Sequence, residues 1–467
     1  MDELQGHVLI LGLGRSGTAV ARYLAEKRDA GAPLVLTAVD EADELRVGPV
    51  AEGLRALGIT VATGTAEVPP GAYDLVVASP GIAPDNRLMA SARALGVPEI
   101  SEIELAWRES RSPWVAVTGT NGKTTVTALV GHLLAEGGVP AETVGNIGTA
   151  AVTVTPHTGP ATVIVAEVSS FQLALTDRFC PAVAVLLNIT PDHVDWHGSL
   201  EAYASDKARV FANQGPTDVA VIDVDDDGSR PWAQTVAARG VRVCQVSRQG
   251  LPDGGAGLVD GVLTLDLSAG PFAVLPAAEL PIKGDHNVGN ALAACAAAVA
   301  AGADPETLAA GLRTFTPIAH RLEPAGSAGG VEYFDDSKAT NPDAVIKALT
   351  AFDDRPILLL LGGRNKDNTF GSLASAVAAR CKTAFVFGEA APEITEALHA
   401  HPGFDVRRCP TMVSAVEAAR SSARPGDVVL LSPACASFDE FSDYEHRGRV
   451  FHELVDAFAG PDRGGRS

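Results

Sequence analysis

The chain has 467 residues, a net charge of −21 at pH 7, 46% hydrophobic residues and 20% charged residues. This length exceeds one ordinary domain, so we expect two or three domains, and the apolar content excludes a disordered chain. The acidic balance argues against a nucleic-acid partner and against docking on anionic lipid, because both need clustered Lys and Arg.

The cysteines and the N-terminus predict the compartment. The six cysteines are scattered without a C-x-x-C pair, so we expect free thiols in a reducing compartment. The first residues are acidic, unlike a signal peptide, and no apolar run reaches the roughly 20 residues of a membrane-spanning helix. We therefore expect a cytoplasmic protein that does not insert into a membrane.

Short apolar runs rich in β-branched residues alternate with Ala- and Leu-rich segments along the chain. Continuously apolar strands separated by helices are typical of parallel sheets covered on both faces. We therefore predict the α/β class, with three doubly wound units. The predicted strands are His7–Leu11, Val35–Val39, Leu75–Ala78, Trp114–Thr118, Thr162–Glu167, Val183–Asn188, Val219–Ile222, Ile357–Leu361, Ala384–Phe387 and Val428–Leu431. The predicted helices include Thr18–Lys27, Thr124–Glu136 and Tyr203–Asn213.

Two breaks in this pattern suggest domain boundaries. One is the polar stretch Ser110–Pro113, and the other is Phe315–Ile318, after an Ala-rich helix. The predicted units are residues 1–105, 106–317 and 318–467. Residues 247–272 are rich in Gly, Asp and Ser with weak alternation, which predicts a surface hairpin without chemistry of its own.

The first glycine loop follows the first predicted strand. Gly12, Gly14 and Gly17 have Rossmann spacing, and Asp40 ends the next strand. Such glycines permit a tight turn and close approach to a diphosphate, which then faces a helix N-terminus. On these residues alone, NAD binding and a tight turn without a ligand both stay open.

The second glycine loop, residues 119–125, follows the strand Trp114–Thr118. It reads Gly-Thr-Asn-Gly-Lys-Thr-Thr, the working end of a P-loop, although Val117 stands where the full pattern has its first glycine. Backbone amides of such a loop cradle phosphates, the lysine reaches the β- and γ-phosphates, and the first threonine joins Mg²⁺. We therefore predict ATP binding here.

Polar residues follow the next two predicted strands. Glu167 and His193 would lie at the carboxyl ends of parallel strands, beside the P-loop, where open α/β sheets bind ligands. His193 and His197 have the spacing of a zinc-protease helix, but Val194 replaces the catalytic Glu. Lys207 could be an ordinary solvent-facing lysine, although only eight of the 36 basic residues are lysines, at positions 27, 123, 207, 283, 338, 347, 366 and 382.

The C-terminal third carries several polar loops. Each loop follows a strand or lies in a turn, and each holds cations, amides or hydroxyls. One such loop alone reads as a solvated turn, but several in one unit predict a site for an anionic substrate. They contain residues 286–290, 320–321, 335–341, 364–366 and 432–441.

Together, these motifs and their order resemble the Mur ligases of peptidoglycan synthesis. They are the P-loop, Glu167 with Ser-Ser-Phe-Gln, Asn-x-Thr-x-Asp-His, Lys207, His-Asn-x-x-Asn, His-Arg and Asp-Ser-Lys-Ala-Thr-Asn, and the match runs over nearly the whole chain. Residues 145–148 and 432–441 resemble the members that add D-glutamate. The resemblance implies a monomeric ATP-dependent ligase that joins D-glutamate to UDP-N-acetylmuramoyl-L-alanine through an acyl phosphate, in cytoplasmic peptidoglycan precursor synthesis.

The resemblance also implies a Rossmann-like N-terminal domain for UDP-sugar, a central P-loop domain for ATP and a Rossmann-like C-terminal domain for the amino acid. The residues implied at UDP-sugar are Gly12, Gly14, Arg15, Ser16, Gly17, Asp40, Gly81 and Asn146. Those implied at ATP are Gly119, Thr120, Asn121, Gly122, Lys123, Thr124, Thr125, Asn287, Asn290, Arg321 and Asp336. Those implied at D-glutamate are Lys338, Thr340, Lys366, Ser437 and Tyr444. The implied catalytic residues are Lys123, Glu167, His193 and Lys207, and two Mg²⁺ are implied at Thr124, Glu167, His193 and a carbamylated Lys207.

Three other functions stay open at this point. The first glycine loop alone favours an NAD-dependent oxidoreductase. If Glu167 or Lys207 takes no part in catalysis, the protein would be a non-catalytic nucleotide sensor. A folate-polyglutamate-type ligase would share the central domain but would not need the N-terminal fingerprint. The residues name no base for the amine of D-glutamate.

Overall fold

The structure is a computed structural model that describes residues 4–146, 148–267, 270–282, 284–316, 319–352, 355–366 and 368–459. Lys283, residue 147 and the predicted boundary between residues 317 and 318 lie outside the described residues. The chain divides into two compact units. The first comprises the described residues of Met1–Glu279 and Gly289–Phe315, and the second those of Leu280–Val288 and Thr316–Ser467.

The first sheet of the first unit is parallel, in the order β3-β2-β1-β4-β5. Its three inner strands are largely apolar because helices cover them. The strands are β1 (Gly6–Leu11), β2 (Leu34–Asp40), β3 (Thr60–Thr63), β4 (Leu75–Ala78) and β5 (Glu99–Ser101). The helices are α1 (Arg15–Asp29), α2 (Glu44–Ala56), α3 (Arg87–Arg93) and α4 (Glu102–Arg108). The strand order reverses beside β1, the position at which such sheets bind ligands.

The second sheet of the first unit has the order β14-β13-β12-β11-β10-β9-β6-β8-β7. Its strands are β6 (Trp114–Thr118), β7 (Ala141–Gly145), β8 (Val163–Glu167), β9 (Val183–Leu186), β10 (Val219–Asp223), β11 (Arg242–Ser247), β12 (Ala256–Val259), β13 (Val262–Leu265) and β14 (Phe272–Pro276). Its helices are α5 (Lys123–Glu136), α6 (Ser170–Leu173), α7 (Val194–His197), α8 (Leu200–Ala208), α9 (Arg230–Ala237), α10 (Asp285–Ala300) and α11 (Leu308–Thr314).

The hairpin predicted within residues 247–272 is present. Strands β12 and β13 pair antiparallel around Asp260 and Gly261, and β14 extends this antiparallel edge. The remainder of the second sheet pairs in parallel. One hydrophobic cluster includes buried residues of both sheets of this unit, among them Ile10, Trp114 and Phe179. The first and second sheets therefore share a core.

The third sheet lies in the second unit, in the order β15-β16-β20-β17-β18-β19. Only the edge pair β15/β16 is antiparallel among its described pairings. The strands are β15 (Glu323–Ala328), β16 (Val331–Asp335), β17 (Ile357–Gly362), β18 (Cys381–Phe387), β19 (Asp405–Arg408) and β20 (Val428–Ala434). The helices are α12 (Pro342–Leu349), α13 (Gly371–Arg380), α14 (Ala391–His399), α15 (Met412–Ser422) and α16 (Tyr444–Ala459). Apolar clusters cover both faces of this sheet.

The predicted α/β class with three sheets is confirmed. The sheets change between Ser101 and Trp114 and between Pro276 and Glu323, while the residue limits of three separate domains stay a prediction. The helix predicted at Tyr203–Asn213 instead begins at Leu200, because the Ser199 side chain caps it by accepting a hydrogen bond from the Ala202 amide. Among the described residues, no helix combines the length and apolarity needed to cross a membrane.

Candidate active site

The first glycine loop borders a cleft of about 630 Å³ in the first unit. Gly12 has a φ of +86°, in the left-handed region that favours glycine. A Cβ on Gly17 would lie 1.9 Å from the carbonyl oxygen of Gly12, so only glycine allows α1 to start this close to β1. The cleft is lined by seven of the eight residues implied at UDP-sugar: Gly12, Gly14, Arg15, Ser16, Asp40, Gly81 and Asn146.

Asp40 braces this loop with both carboxylate oxygens. Oδ2 accepts a hydrogen bond of 2.6 Å from the Leu13 amide, and Oδ1 accepts one of 2.7 Å from the Ala42 amide. Across the cleft, Arg15 Nη1 donates to the carbonyl of Gly148 at 3.4 Å. The first sheet and the loop after β7 therefore form the cleft together.

The P-loop leaves β6 and turns into α5. Gly119 and Gly122 have φ values of +151° and +87°, and α5 begins at Lys123. Lys123 Nζ donates to the carbonyls of Gly119 and Thr120, at 2.9 and 2.8 Å. The loop therefore holds a lysine ammonium at a helix N-terminus, the arrangement that favours phosphate.

Two asparagines support the P-loop from outside its own segment. Asn188 exchanges side-chain hydrogen bonds with the backbone of Asn121, at 2.8 Å to its amide and 3.0 Å to its carbonyl. A Cβ on Gly122 would lie 2.5 Å from Asn290 Oδ1, so Asn290 approaches the loop closely. In the sequence, Asn188 was recognised only as part of a motif. No local pattern predicts that its side chain supports the P-loop.

Glu167 ends β8 beside this loop and is 2% exposed. Its Oε1 accepts a hydrogen bond of 3.1 Å from Asn146 Nδ2, while Oε2 is buried and accepts no hydrogen bond from any described residue. A buried carboxylate oxygen left in this way fits a cation ligand. Asn146 also lines the UDP-sugar cleft, so this pair joins the two predicted sites.

His193 lies after β9 with a φ of 51°, an uncommon backbone conformation for a residue other than glycine. Its amide donates to Asp192 Oδ1 at 3.0 Å, and its ring packs edge-on against Phe171, with 4.8 Å between centroids. Because strained backbone concentrates at functional sites, this observation supports a role for His193.

Lys207 is buried, with 2% of its surface exposed, and is no solvent-facing lysine. Its Nζ donates to the Gly119 carbonyl at 2.8 Å, the same carbonyl that accepts from Lys123, and lies 4.4 Å from the centroid of the Tyr203 ring. Burial, together with the positive charge of Lys123, holds the pKa of Lys207 well below its usual range. The lowered pKa favours the neutral amine relative to an exposed lysine.

Both ring nitrogens of His197 contact neighbouring side chains. Its Nδ1 lies 2.7 Å from Asp206 Oδ2 and its Nε2 lies 3.0 Å from Ser170 Oγ. Because both nitrogens have partners, this arrangement argues against a zinc ion bound jointly by His193 and His197. These hydrogen bonds connect α6, which follows Glu167, to α8, which carries Lys207. No sequence motif predicted this connection.

The second unit gathers the predicted residues at loops of the third sheet. Asp336 is buried, and burial raises its pKa to about 7 despite the hydrogen bond that Ser432 Oγ donates at 2.7 Å and the nearby charge of Arg321. Lys338 Nζ lies 5.3 Å from the centroid of the Tyr444 ring. The Lys338 carbonyl accepts a hydrogen bond of 2.9 Å from the Thr340 amide.

The loops carrying Lys366 and Ser437 are neighbours, because Arg364 and Ala436 exchange backbone hydrogen bonds of 2.8 and 3.0 Å. Arg447, fully buried on α16, donates to the carbonyls of Ser337 and Cys435 and so braces two of these loops. Sequence reasoning missed Arg447. Asn287 lies at the start of α10, in the part that belongs to the second unit.

The comparisons with known proteins agree with this arrangement. The model of the Mur ligase middle domain matches residues 117–298, and that of the "Mur ligase, glutamate ligase domain" matches residues 320–435. The chain is 44% identical to the "UDP-N-acetylmuramoylalanine--D-glutamate ligase" of Pelotomaculum thermopropionicum, over 97% of this chain and 98% of the relative. It is 40% identical to the enzyme of the same name from Koribacter versatilis, with the same coverages of 97% and 98%.

Solved structures agree at the level of the fold. The crystal structure of UDP-N-acetylmuramate-alanine ligase from Thermotoga maritima matches with a TM-score of 0.59 and 22% identity, over 97% of this chain and 99% of that chain. Sequence relatives of such identity and coverage, together with the two matching domain models, leave one assignment: the chain belongs to the Mur ligase family, in the group of the UDP-N-acetylmuramoylalanine–D-glutamate ligases.

Proposed function

We propose that the protein catalyses the ATP-dependent addition of D-glutamate to UDP-N-acetylmuramoyl-L-alanine, as a monomer in the cytoplasm, in peptidoglycan precursor synthesis. The names of the relatives motivate the choice of substrates. The observation that carries the proposal is the convergence of Lys123 and Lys207 on the Gly119 carbonyl, in the same unit as the buried Glu167 carboxylate.

The cleft beside the first glycine loop supports the UDP-sugar part of the proposal. Its backbone amides and the N-terminus of α1 face a diphosphate, with Gly12, Gly14, Ser16 and Gly17 admitting close approach. Arg15 supplies positive charge, and Asp40 fixes the loop and faces the uridine end. Gly81 and Asn146 complete the set, with Asn146 toward the reacting end because it also contacts Glu167.

The P-loop supports binding of the ATP phosphates. In this proposal, the backbone of residues 119–125 cradles the phosphates and Lys123 turns from the loop carbonyls to the β- and γ-phosphates. Asn290 lies beside Gly122. The roles proposed for Asn287, Arg321 and Asp336 at ATP come from the family resemblance alone.

Two Mg²⁺ fit the first unit because Glu167 offers a buried oxygen without a hydrogen-bond partner among the described residues, in the unit that carries the P-loop hydroxyl of Thr124. Thr124, Glu167 and His193 would hold these ions, which neutralise phosphate charge when bound. Lys207 would complete the ligands as a carbamate. Because its pKa is lowered, the neutral amine can add to the carbon of CO₂ and release a proton, and the resulting anion is stabilised by Lys123.

The loops of the second unit support binding of the dicarboxylate amino acid. Lys338 and Lys366 pair with the two carboxylates of D-glutamate, Thr340 and Ser437 offer hydrogen bonds, and the Tyr444 ring packs beside Lys338. Both lysines lie on loops of the third sheet, and their positions would orient the amine of D-glutamate.

The reaction then follows from charge placement. The alanine carboxylate attacks the γ-phosphorus, ADP leaves, and Lys123 offsets the repulsion between the two anions. The neutral amine of D-glutamate attacks the acyl carbon, and phosphate leaves from the tetrahedral adduct as the amide forms. Exclusion of water protects the acyl phosphate from hydrolysis.

The experiment is a coupled assay of ADP release with purified protein. We expect release only when UDP-N-acetylmuramoyl-L-alanine and D-glutamate are present together, and about 100-fold less release with Glu167→Gln. Activity with L-alanine or a diamino acid in place of D-glutamate would assign the protein to a sister ligase. A change of NADH fluorescence on titration would revive the oxidoreductase interpretation, and turnover with a folate would indicate a folate-type ligase.

A further inference from the structure

A second cluster of side chains with metal-ligand chemistry lies in the second unit, and the ligase mechanism does not use it. His320 lies just before β15, Glu323 begins β15, Asp335 ends β16, and His452 lies on α16. Glu323 and Asp335 are register partners across the antiparallel pair β15/β16. The adjacent strands β15 and β16 and the distant helix α16 therefore bring four potential ligand atoms close together.

The distances suit a common ion. The four ligand atoms all lie within 4.8 Å of one another. His452 Nε2 lies 3.3 Å from Asp335 Oδ2 and 3.6 Å from Glu323 Oε2. Ligands about 2.0–2.2 Å from a tetrahedral Zn²⁺ are separated by roughly 3.3–3.5 Å. His320 Nδ1 and Asp335 Oδ2, at 2.6 Å, would open by less than about 1 Å to join them.

The surroundings hold this cluster in place. His452 Nε2 is buried and faces Asp335 Oδ2 at 3.3 Å. The outer oxygen of Asp335, Oδ1, accepts a hydrogen bond of 2.8 Å from the Ser337 amide, which orients the carboxylate. Glu323 Oε2 accepts one of 2.7 Å from the His320 amide.

A glycine on the neighbouring helix makes room for the cluster. A Cβ on Gly448 would lie 2.2 Å from His320 Nδ1 and 2.5 Å from Asp335 Oδ2. Any larger residue at this position of α16 would enter the space between the ligands. The side chains of His320, Glu323 and His452 are 14%, 32% and 28% exposed, so an ion can enter and a water can complete its shell.

The electrostatics favour a cation. Burial opposes ionisation of Asp335, but hydrogen bonds from His320, His452 and Ser337 hold its pKa below the usual range. Asp335 in turn raises the pKa of both histidines.

We propose that His320, Glu323, Asp335 and His452 form a binding site for a divalent transition metal ion of the zinc class. Two imidazoles and two carboxylates suit Zn²⁺, whereas Mg²⁺ prefers oxygen ligands alone. The ion would tie α16 to the pair β15/β16, next to Arg321 and Asp336. This site is separate from the proposed Mg²⁺ ligands of the first unit, and the inference does not depend on the proposed ligase function.

For the test, the full chain is first treated with a chelator and kept free of nucleotide. Binding of Zn²⁺ is then measured by calorimetry, and binding of Co²⁺ by visible absorption. We expect binding that weakens by at least about 100-fold in His452→Gln and in Glu323→Gln. His446→Gln, a substitution on the same helix at a histidine that contacts Ser442, should bind as the wild type does. Glu167→Gln should also keep this binding, because it alters only the first unit.

Circular dichroism and thermal unfolding in chelator check that each variant folds. Glu323 is the second variant because its side chain is the more exposed, so it tolerates substitution if His452→Gln does not fold. The proposal is overturned if the wild type takes up no Zn²⁺ or Co²⁺ under these conditions. It is equally overturned if both ligand variants bind as tightly as the wild type, or if Glu167→Gln abolishes the binding.

Discussion

The two glycine loops of the first unit share a backbone solution and differ in chemistry. Both leave a buried parallel strand, turn at a glycine with positive φ and start a helix. Around the first loop the charged partner is Asp40, whose two oxygens are engaged by loop amides. Around the second, two lysines meet at one carbonyl in the unit that also holds the buried Glu167. In the proposed function, the strand–glycine–helix turn therefore only holds an anion, while side chains on helices and on another strand decide whether the anion reacts.

Replacing Lys207 should have the largest effect, because it removes the group that makes the second loop chemically distinct. We expect Lys207→Ala to reduce ADP release at least about 100-fold, since the proposed carbamate ligand would be lost. Short carboxylates such as acetate should restore part of the activity by occupying the vacated position. Lys347→Ala, at a helix-surface lysine paired with Asp343, is the control and should retain activity. Full activity of Lys207→Ala would contradict the carbamate.

Gly17→Ala tests the backbone that the two loops share. Its Cβ would lie 1.9 Å from the Gly12 carbonyl, so we expect the free energy of unfolding to fall by about 1–3 kcal/mol. Gly14→Ala is the matched control, because no atom lies within 4 Å of its added Cβ, and should change stability by about 0.5 kcal/mol at most. Urea unfolding measures both. Equal stabilities of the two variants would show that the close approach of α1 to β1 is not a constraint.

Asp40→Asn weakens the brace of the first loop without touching the second. We expect the KM for the UDP-sugar substrate to rise about tenfold, since the NH₂ group of the amide cannot accept one of the two loop hydrogen bonds, while kcat stays within about twofold. Asp29→Asn, at an exposed residue paired with Arg28, should leave both constants unchanged. Steady-state kinetics separate the two constants. A fall in kcat at unchanged KM would place Asp40 in the reaction instead of in binding.

Lys207→Met is expected to give the smallest change, measured as stability and not as activity. It tests the buried lysine that distinguishes the second glycine loop from the first. The pKa of Lys207 is lowered in the folded protein, so below its ordinary value of 10.5 the unfolded chain binds more protons. Wild-type stability should therefore rise with pH above the folded pKa and toward 10.5, and Lys207→Met should lack this rise. In buffers depleted of CO₂, the variant should be the more stable at neutral pH, by a margin that shrinks as pH increases. Parallel pH dependences in the two proteins would show that Lys207 is not the buried neutral amine.

Much of the fold was predictable because its signals are local. The strands at Leu75–Ala78 and Trp114–Thr118 were predicted at their observed limits, since a run of buried apolar residues ends at a polar turn. Weakly apolar strands such as β3 and β19 escaped prediction, because their residues are largely exposed or half-buried.

The candidate site divides in the same way. The glycines and Lys123 were predictable because a phosphate loop lies within one short segment. The link from Ser170 through His197 to Asp206 was not, since its members lie on three separate helices. Arg447 and His452 escaped for the same reason, because single residues on the distant helix α16 form no motif with the loops that they contact.

The sequence by itself determined the α/β alternation, both glycine loops and the Mur ligase resemblance, because each depends on residue order over short distances. Only the tertiary structure decided that the first two sheets share a core, that an oxygen of Glu167 lies buried without a described partner and that Lys207 lies beside Lys123 with a lowered pKa. Burial and electrostatic interactions depend on which distant segments meet. The lysine that could be a surface residue in the sequence is therefore buried in the folded protein, where α8 packs against the P-loop and the surroundings lower its pKa.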